Sequence, residues 1–336
     1  MDMPDFSIDD LPAGMTYEDE KGLAARGIVA RKLADHPVYR RPTRHFATCN
    51  LALSGNTMLS MHLARIEPGG YKCRHRHFDE TCGYVVQGRG YGEYRQSDDA
   101  EPMRFDWKAG DLIVTPCNCW HQHLNASQTD YARQISFRNS PVINASVLGP
   151  KEGPKSGNPN KSAIRFPDRF DDDRKDYFRE REEIAPGVIR TNYVSRIVEE
   201  TLPKSDGAWG EGVSLQHYIM GGQRMLDIVL IGIKSGGEMR PHRSISEEGI
   251  VVLAGAGRSE IWDDSGRRHV IEWSEGDLIS PPFNAWRSHH ADPGSEVRLL
   301  MARNVIMERC LGVKMGQIGR FECLPVRFPE RVEAGA

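Results

Sequence analysis

A chain of 336 residues with 39% hydrophobic and 27% charged residues is globular. Single cores stop growing at roughly 250 to 300 residues, so two domains are expected rather than one. The net charge of -3, with both signs mixed along the chain, provides no broad positive field. That argues against nucleic acid or an anionic membrane as partner and for a small molecule.

The N-terminal stretch MDMPDFSIDDLPAGMTYEDEKG is acidic and has no signal-peptide core, and no apolar run approaches the roughly 20 residues of a membrane span, so a cytoplasmic location is expected. Residues 16 to 36 predict one or two helices within an N-terminal helical arm, 1–45. Residues 46–148 and 213–308 alternate apolar and polar positions in short runs (YVVQG, DLIVTP; IVVLAG, DLISPP) punctuated by Gly, Pro and Asn, which is a strand-and-turn pattern. Between them, 149–212 is expected to be a charged linker: a Gly/Pro/Lys loop, then a solvated helix over RFPDRFDDDRKDYFREREEI. Residues 309–336 form a C-terminal extension. The seven cysteines are odd in number and scattered, so free thiols are expected, with Cys117 and Cys119 as small buried hydrophobes rather than a metal clip.

The two patterned stretches are copies of one another. MLSMHLARIEPGGYKCRHRHFDETCGYVVQGRGYGEY, from Met58, aligns with MLDIVLIGIKSGGEMRPHRSISEEGIVVLAGAGRSEI, from Met225, at an offset of 167 residues that becomes 166 beyond a hairpin. An all-β protein of two tandem small barrels or jelly rolls, with peripheral helices, follows.

The first copy carries Gly69, five residues, His75-x-His77, three residues, Thr81, six residues, Gly88, and later Gly110, five residues, Pro116-x-Asn118, two residues, His121, three residues, Asn125. Residues two apart on a strand share a face, so His75 and His77 project together, and a neighbouring strand beginning near His121 brings a third imidazole across. Three neutral nitrogens cap one side of a divalent ion and leave the other side open. Zinc and iron(II) both suit such a set. Glu80 is one residue out of phase and should face away from the ion, while Thr81 stands in phase. His123 shares the face of His121 and is the candidate acid/base residue; the alternative is a rim histidine bonded to backbone. Arg65, Arg74, Arg76 and Arg133 are candidates to clamp an acidic substrate, with Arg65, Arg74 and Thr81 the substrate-binding choice. Each arginine taken singly is more often a surface charge.

These strings match the two cupin motifs, and the chain resembles a bicupin. HRHFDETCGYVVQGRGYGEY and GDLIVTPCNCWHQHLN further resemble the metal-bearing barrel of the gentisate, salicylate and 1-hydroxy-2-naphthoate dioxygenases. Those bind Fe(II) through three histidines and lack the cupin glutamate, whose place Thr81 takes here. The resemblance implies Fe(II) as cofactor, a small hydroxylated aromatic and O2 as substrates, ring cleavage with incorporation of both oxygen atoms, and a homo-oligomer. In the second copy, His242, Ser244, Glu248 and His289 resemble the iron site of the large subunit of two-component hydroquinone dioxygenases. That alternative implies a small partner subunit. Other cupins are sugar isomerases or ligand-binding modules, so the fold alone does not assign an activity.

Overall fold

The structure, a computed structural model, describes residues 24–41, 45–95, 100–146, 177–221, 225–311 and 332–333. It is built almost wholly of antiparallel strands. In the first half a seven-stranded sheet runs in the order Tyr193–Val194, Leu112–Thr115, Thr81–Gln87, Ala132–Arg138, Ser60–Ile66, Phe46–Asn50 and Tyr39–Arg41. A three-stranded sheet of Met103–Lys108, Arg89–Arg95 and Trp120–Asn125 faces it. The second half repeats the plan with an eight-stranded and a four-stranded sheet, so two jelly-roll barrels stand in tandem.

The large sheets are apolar on both faces, for two different reasons. In the first barrel Ile66, Val85, Trp107, Ile113 and Ala132 cluster inside the barrel. Met61, Leu63, Cys82, Val114, Ile135 and Phe137 point the other way and share one core with Tyr218, Met220 and Leu300 of the second half. The barrels therefore pack back to back. Gly249 lies at this seam, where a Cβ would come within 2.5 Å of the Met61 sulfur and 2.8 Å of the Phe137 ring. Only hydrogen fits there.

Two carboxylates at equivalent positions tie the barrels together. Glu80 accepts the backbone N–H groups of Met225 and Leu226 at 2.8 and 3.0 Å. Glu247, its counterpart in the repeat, accepts those of Thr57, Met58 and Leu59 at 2.7, 2.6 and 2.6 Å. Glu80 thus faces away from the barrel interior, as strand parity requires, and its function is to satisfy buried donors across the seam. Replacing Glu80 with alanine should cost about 1–3 kcal/mol of stability, because it strands two backbone N–H groups. Urea unfolding measures this, and bound metal should be unchanged because the Glu80 carboxylate is turned to the seam, away from the barrel interior.

Three expectations for the flanking segments require correction. Where residues 24–36 are described they are not helical: Val29–Ala30 is a strand paired with Leu278–Ile279 of the second barrel. The same holds at the end of the linker, where Arg181–Ala185 is a strand instead of a helix. Nor is the linker a mere spacer, since Tyr193–Val194 pairs with Leu112–Ile113 of the first barrel. Each barrel thus receives a strand from the other's side of the chain. An edge strand is stabilised by its partner's unpaired backbone groups, which local propensity does not register. Residues 1–23 and 42–44 of the arm, 149–176 of the linker and most of the C-terminal extension lie outside the described residues.

Of the cysteines, Cys49, Cys73, Cys82, Cys117 and Cys119 are free thiols, and Cys49, Cys82 and Cys119 are buried. No helix among the described residues is long and apolar enough to cross a membrane.

Candidate metal centre

The first barrel brings His75, His77 and His121 together, with their ligating nitrogens within 4.8 Å of one another. His121 lies on the Trp120–Asn125 strand, and His75 reaches it through an isolated antiparallel bridge whose two backbone bonds measure 3.0 and 2.9 Å. The turn before this strand holds Asn118 at a φ of 59°, and Asn284 takes the same value in the second barrel. Asparagine tolerates this left-handed geometry, so the turn that delivers the strand survives where the cupin motif has glycine.

Each ring is fixed by a backbone carbonyl: His75 Nδ1 bonds to Cys73 O at 2.8 Å, His77 Nδ1 to Asp79 O at 3.2 Å, and His121 Nδ1 to Cys119 O at 2.9 Å. A carbonyl only accepts, so each Nδ1 carries the proton and each Nε2 keeps a lone pair. Burial, opposed by Asp79, brings His77 down to about 3, and burial holds His121 well below the ordinary histidine range. These rings are therefore neutral at pH 7. The donor chemistry fits a divalent transition metal.

No carboxylate shares the convergence point among the described residues. Asp79 stands behind His77, 3.4 Å from its Nδ1, and accepts from Arg138 Nε at 2.6 Å and Ser140 Oγ at 2.7 Å. Thr81 is buried and opens the Thr81–Gln87 strand; its neighbour Cys82 contacts Met220 across the seam, so Thr81 takes the interior face.

His123 also lies inside, 8% exposed, with its ring centroid 6.0 Å from that of His121. Its Nδ1 has no hydrogen-bond partner among the described residues. Burial, reinforced by Lys72, His75 and His77, lowers its pKa well below the usual value and leaves the ring neutral. Lys72, to which the sequence drew no attention, is buried in the same interior; burial, with Arg138 adding repulsion, brings its ammonium down to about 7.

The arginines are placed elsewhere. Arg65 donates to Glu67 at 2.7 Å and stacks on Tyr131, so it is not at the centre. Arg74 and Arg76 lie over the Trp120 ring, 5.9 and 4.9 Å from its centroid. Trp120 and His121 are consecutive on a strand and face opposite ways, which carries both arginines to the barrel's outside. Arg133 donates to the carbonyls of Leu33 and His36 at 3.1 and 2.7 Å and anchors the N-terminal arm.

The alternative site in the second barrel is not assembled. Arg287, in the place of His121, is ion-paired through Nη2 with Glu248, in the place of Thr81, and both side chains are 1% exposed. Ser244 Oγ donates to Glu308 Oε1 at 2.6 Å, and His289 Nδ1 bonds to Ser259 Oγ at 2.7 Å. The rings of His242 and His289 are 6.0 Å apart, and with Glu248 they do not form a ligand group among the described residues. A guanidinium is already present where a metal would need an imidazole.

The family described as "Cupin domain" matches residues 62–136, which hold all three histidines. Acireductone dioxygenase 4 of Oryza sativa subsp. japonica is 32% identical over 75 residues, 22% of this chain and 40% of that protein. Acireductone dioxygenase 1 of Coprinopsis cinerea is 34% identical over 68 residues, 20% of this chain and 38% of that protein. The match thus spans about two fifths of these relatives. Among solved structures, Bacillus subtilis oxalate decarboxylase, described with Mn(II) centres, superposes with a TM-score of 0.53 at 13% identity, over 84% of this chain and 78% of that one. The Lactobacillus farciminis oxalate decarboxylase formate complex gives 0.53 at 12% identity, over 83% and 86%. With a cupin domain in its first half and a repeat of the same barrel in its second, the chain has the fold of a bicupin.

Proposed function

We propose that the first barrel is catalytic and that the protein is an Fe(II)-dependent dioxygenase cleaving a hydroxylated aromatic of the gentisate, salicylate or hydroquinone type. The observation that carries this reading is the ligand set itself: three imidazoles converge, and among the described residues no carboxylate joins them. Iron held there would keep about two units of positive charge, and it would supply Lewis acidity toward chelating oxygens together with redox activation of O2.

The chain's own residues do the remaining work. His75, His77 and His121 keep their Nδ1 protons on carbonyls and present three lone pairs. Thr81, smaller than the glutamate of its counterpart, leaves room for a second substrate oxygen. His123, neutral and with an unengaged Nδ1, takes a proton from a substrate hydroxyl or returns one to the product. Ile66, Val85, Trp107, Ile113 and Ala132 form a buried apolar cluster whose Trp107 ring centroid lies 6.3 Å from that of His123, which keeps water from that side of the site. A second reading, oxygenation of an acireductone, is favoured by the 32% identity over 75 residues to an acireductone dioxygenase.

Oxygen uptake tests both. Iron-loaded protein is offered gentisate, salicylate, hydroquinone and an acireductone. One O2 consumed per aromatic molecule, with loss of the ring's absorbance, is the expected result. Uptake with the acireductone alone would favour the second reading, and no uptake by protein with stoichiometric iron would sink both.

Thr81→Glu probes the missing carboxylate. In the second barrel the glutamate at this position reaches the residue equivalent to His121, so a glutamate at 81 should point at the centre. Iron should then be retained or bound more tightly, while affinity for the aromatic falls by about tenfold, roughly 1.4 kcal/mol. Parental affinity and turnover in this variant would mean that Thr81 does not border the open side.

A further inference from the structure

Lys72 precedes the His75-x-His77 segment, and its backbone N–H donates to His123 O at 2.8 Å. Its Nζ donates to Gln134 Oε1 at 2.9 Å, and the two residues are 6% and 5% exposed. Gln134 alternates on its strand with Ile135 and Phe137, which face the seam between barrels, so Gln134 and the ammonium it holds face the interior with the histidines. An ammonium has three N–H donors. One is used by Gln134, the Phe46 ring lies 5.8 Å away, and among the described residues no carboxylate forms an ion pair with Lys72. A buried cation with one neutral acceptor is unfavourable unless an anion completes it.

The fold does not require this cation. The repeat offset makes Met239 the counterpart of Lys72, and strand register makes Leu299 that of Gln134, since Gln134 pairs with Ala64 and Leu299 with Ile231. Met239 and Leu299 are both 0% exposed and part of the second barrel's core. The same architecture thus closes over an apolar pair, and the polar pair occurs only in the barrel that holds the histidine triad. Lys72 also influences His123 electrostatically, which places it on the His123 side of the centre.

From this placement we propose that Lys72, oriented by Gln134, anchors an anionic oxygen of the substrate, such as a carboxylate, so that the substrate bridges the histidine centre and a fixed cation on the His123 side. The proposal rests on the reading of His75, His77 and His121 as the metal centre and deepens it: it specifies an anionic substrate and the residue that selects it.

The test is calorimetric binding of salicylate and of its neutral amide, salicylamide, to the full chain, both iron-loaded and after chelation. The parent should prefer salicylate by about tenfold or more in both states. Lys72→Met, which installs the residue of the second barrel, should abolish that preference, leaving salicylamide binding within about twofold and iron content unchanged. Lys72→Gln keeps a polar group and removes the charge; the same loss is expected, which separates charge from repacking. Undiminished preference for salicylate in both variants, or a parent that prefers neither probe, would overturn the anchor. A Lys72-dependent preference in a parent that binds no iron would instead retain the anchor and remove the metal-centre reading.

Discussion

His75→Ala, His77→Ala and His121→Ala should each lose bound iron, with an affinity drop of at least about a hundredfold, and should have no measurable oxygenase activity. Among the described residues the three imidazoles are the whole ligand group, whereas removing even an outer hydrogen-bonding partner of a ligand typically costs 10- to 100-fold. Folding should persist. The interior cluster of Ile66, Val85, Trp107, Ile113 and Ala132 and the seam between barrels do not depend on the triad. Elemental analysis after dialysis against trace chelator, alongside thermal melting, checks both halves of this expectation. Stoichiometric iron in all three variants would show that the metal is held elsewhere.

Arg287→Met should do the opposite, destabilising the protein by about 3–5 kcal/mol while leaving iron in place. The Arg287–Glu248 pair is 1% exposed on both sides, and taking away the guanidinium leaves a buried carboxylate with its charge uncompensated. Arg287 Nη1 also donates to Ala285 O at 3.0 Å, so one further acceptor is stranded. Glu248→Gln should be similarly costly. The double replacement Arg287→Met with Glu248→Thr should recover much of the loss, because neither charge then remains to be solvated. Urea unfolding of the two single variants and the double measures the coupling. Iron loss on Glu248→Gln would transfer the metal to the second barrel.

The internal repeat and the two histidine motifs were legible because both depend on local rules. Turn residues at fixed spacing produced the barrel, and strand parity turned His75, His77 and His121 inward and Glu80 outward. His123 followed from the same alternation, buried inside the barrel with its Nδ1 unpartnered among the described residues. The arginines failed on the same grounds. Parity alone distinguishes two faces of a strand, but it does not say what covers either, so Arg74 and Arg76 looked available to substrate when Trp120 was already beneath them.

What the sequence by itself determined, then, was the tandem-barrel architecture and the triad, because each follows from the order of residues within one hairpin or between two adjacent strands. The tertiary structure alone decided the rest. That Glu80 and Glu247 cross to opposite barrels, that Val29–Ala30 joins the second barrel's sheet, that Arg287 and Glu248 neutralise one another where the first barrel has His121 and Thr81, and that buried Lys72 is held by Gln134 are all facts about partners distant in the chain. Charge makes the difference. An apolar residue is buried by almost any neighbour, so its pattern suffices. A charged residue is defined by the one group that meets it, and only folding brings that group into place.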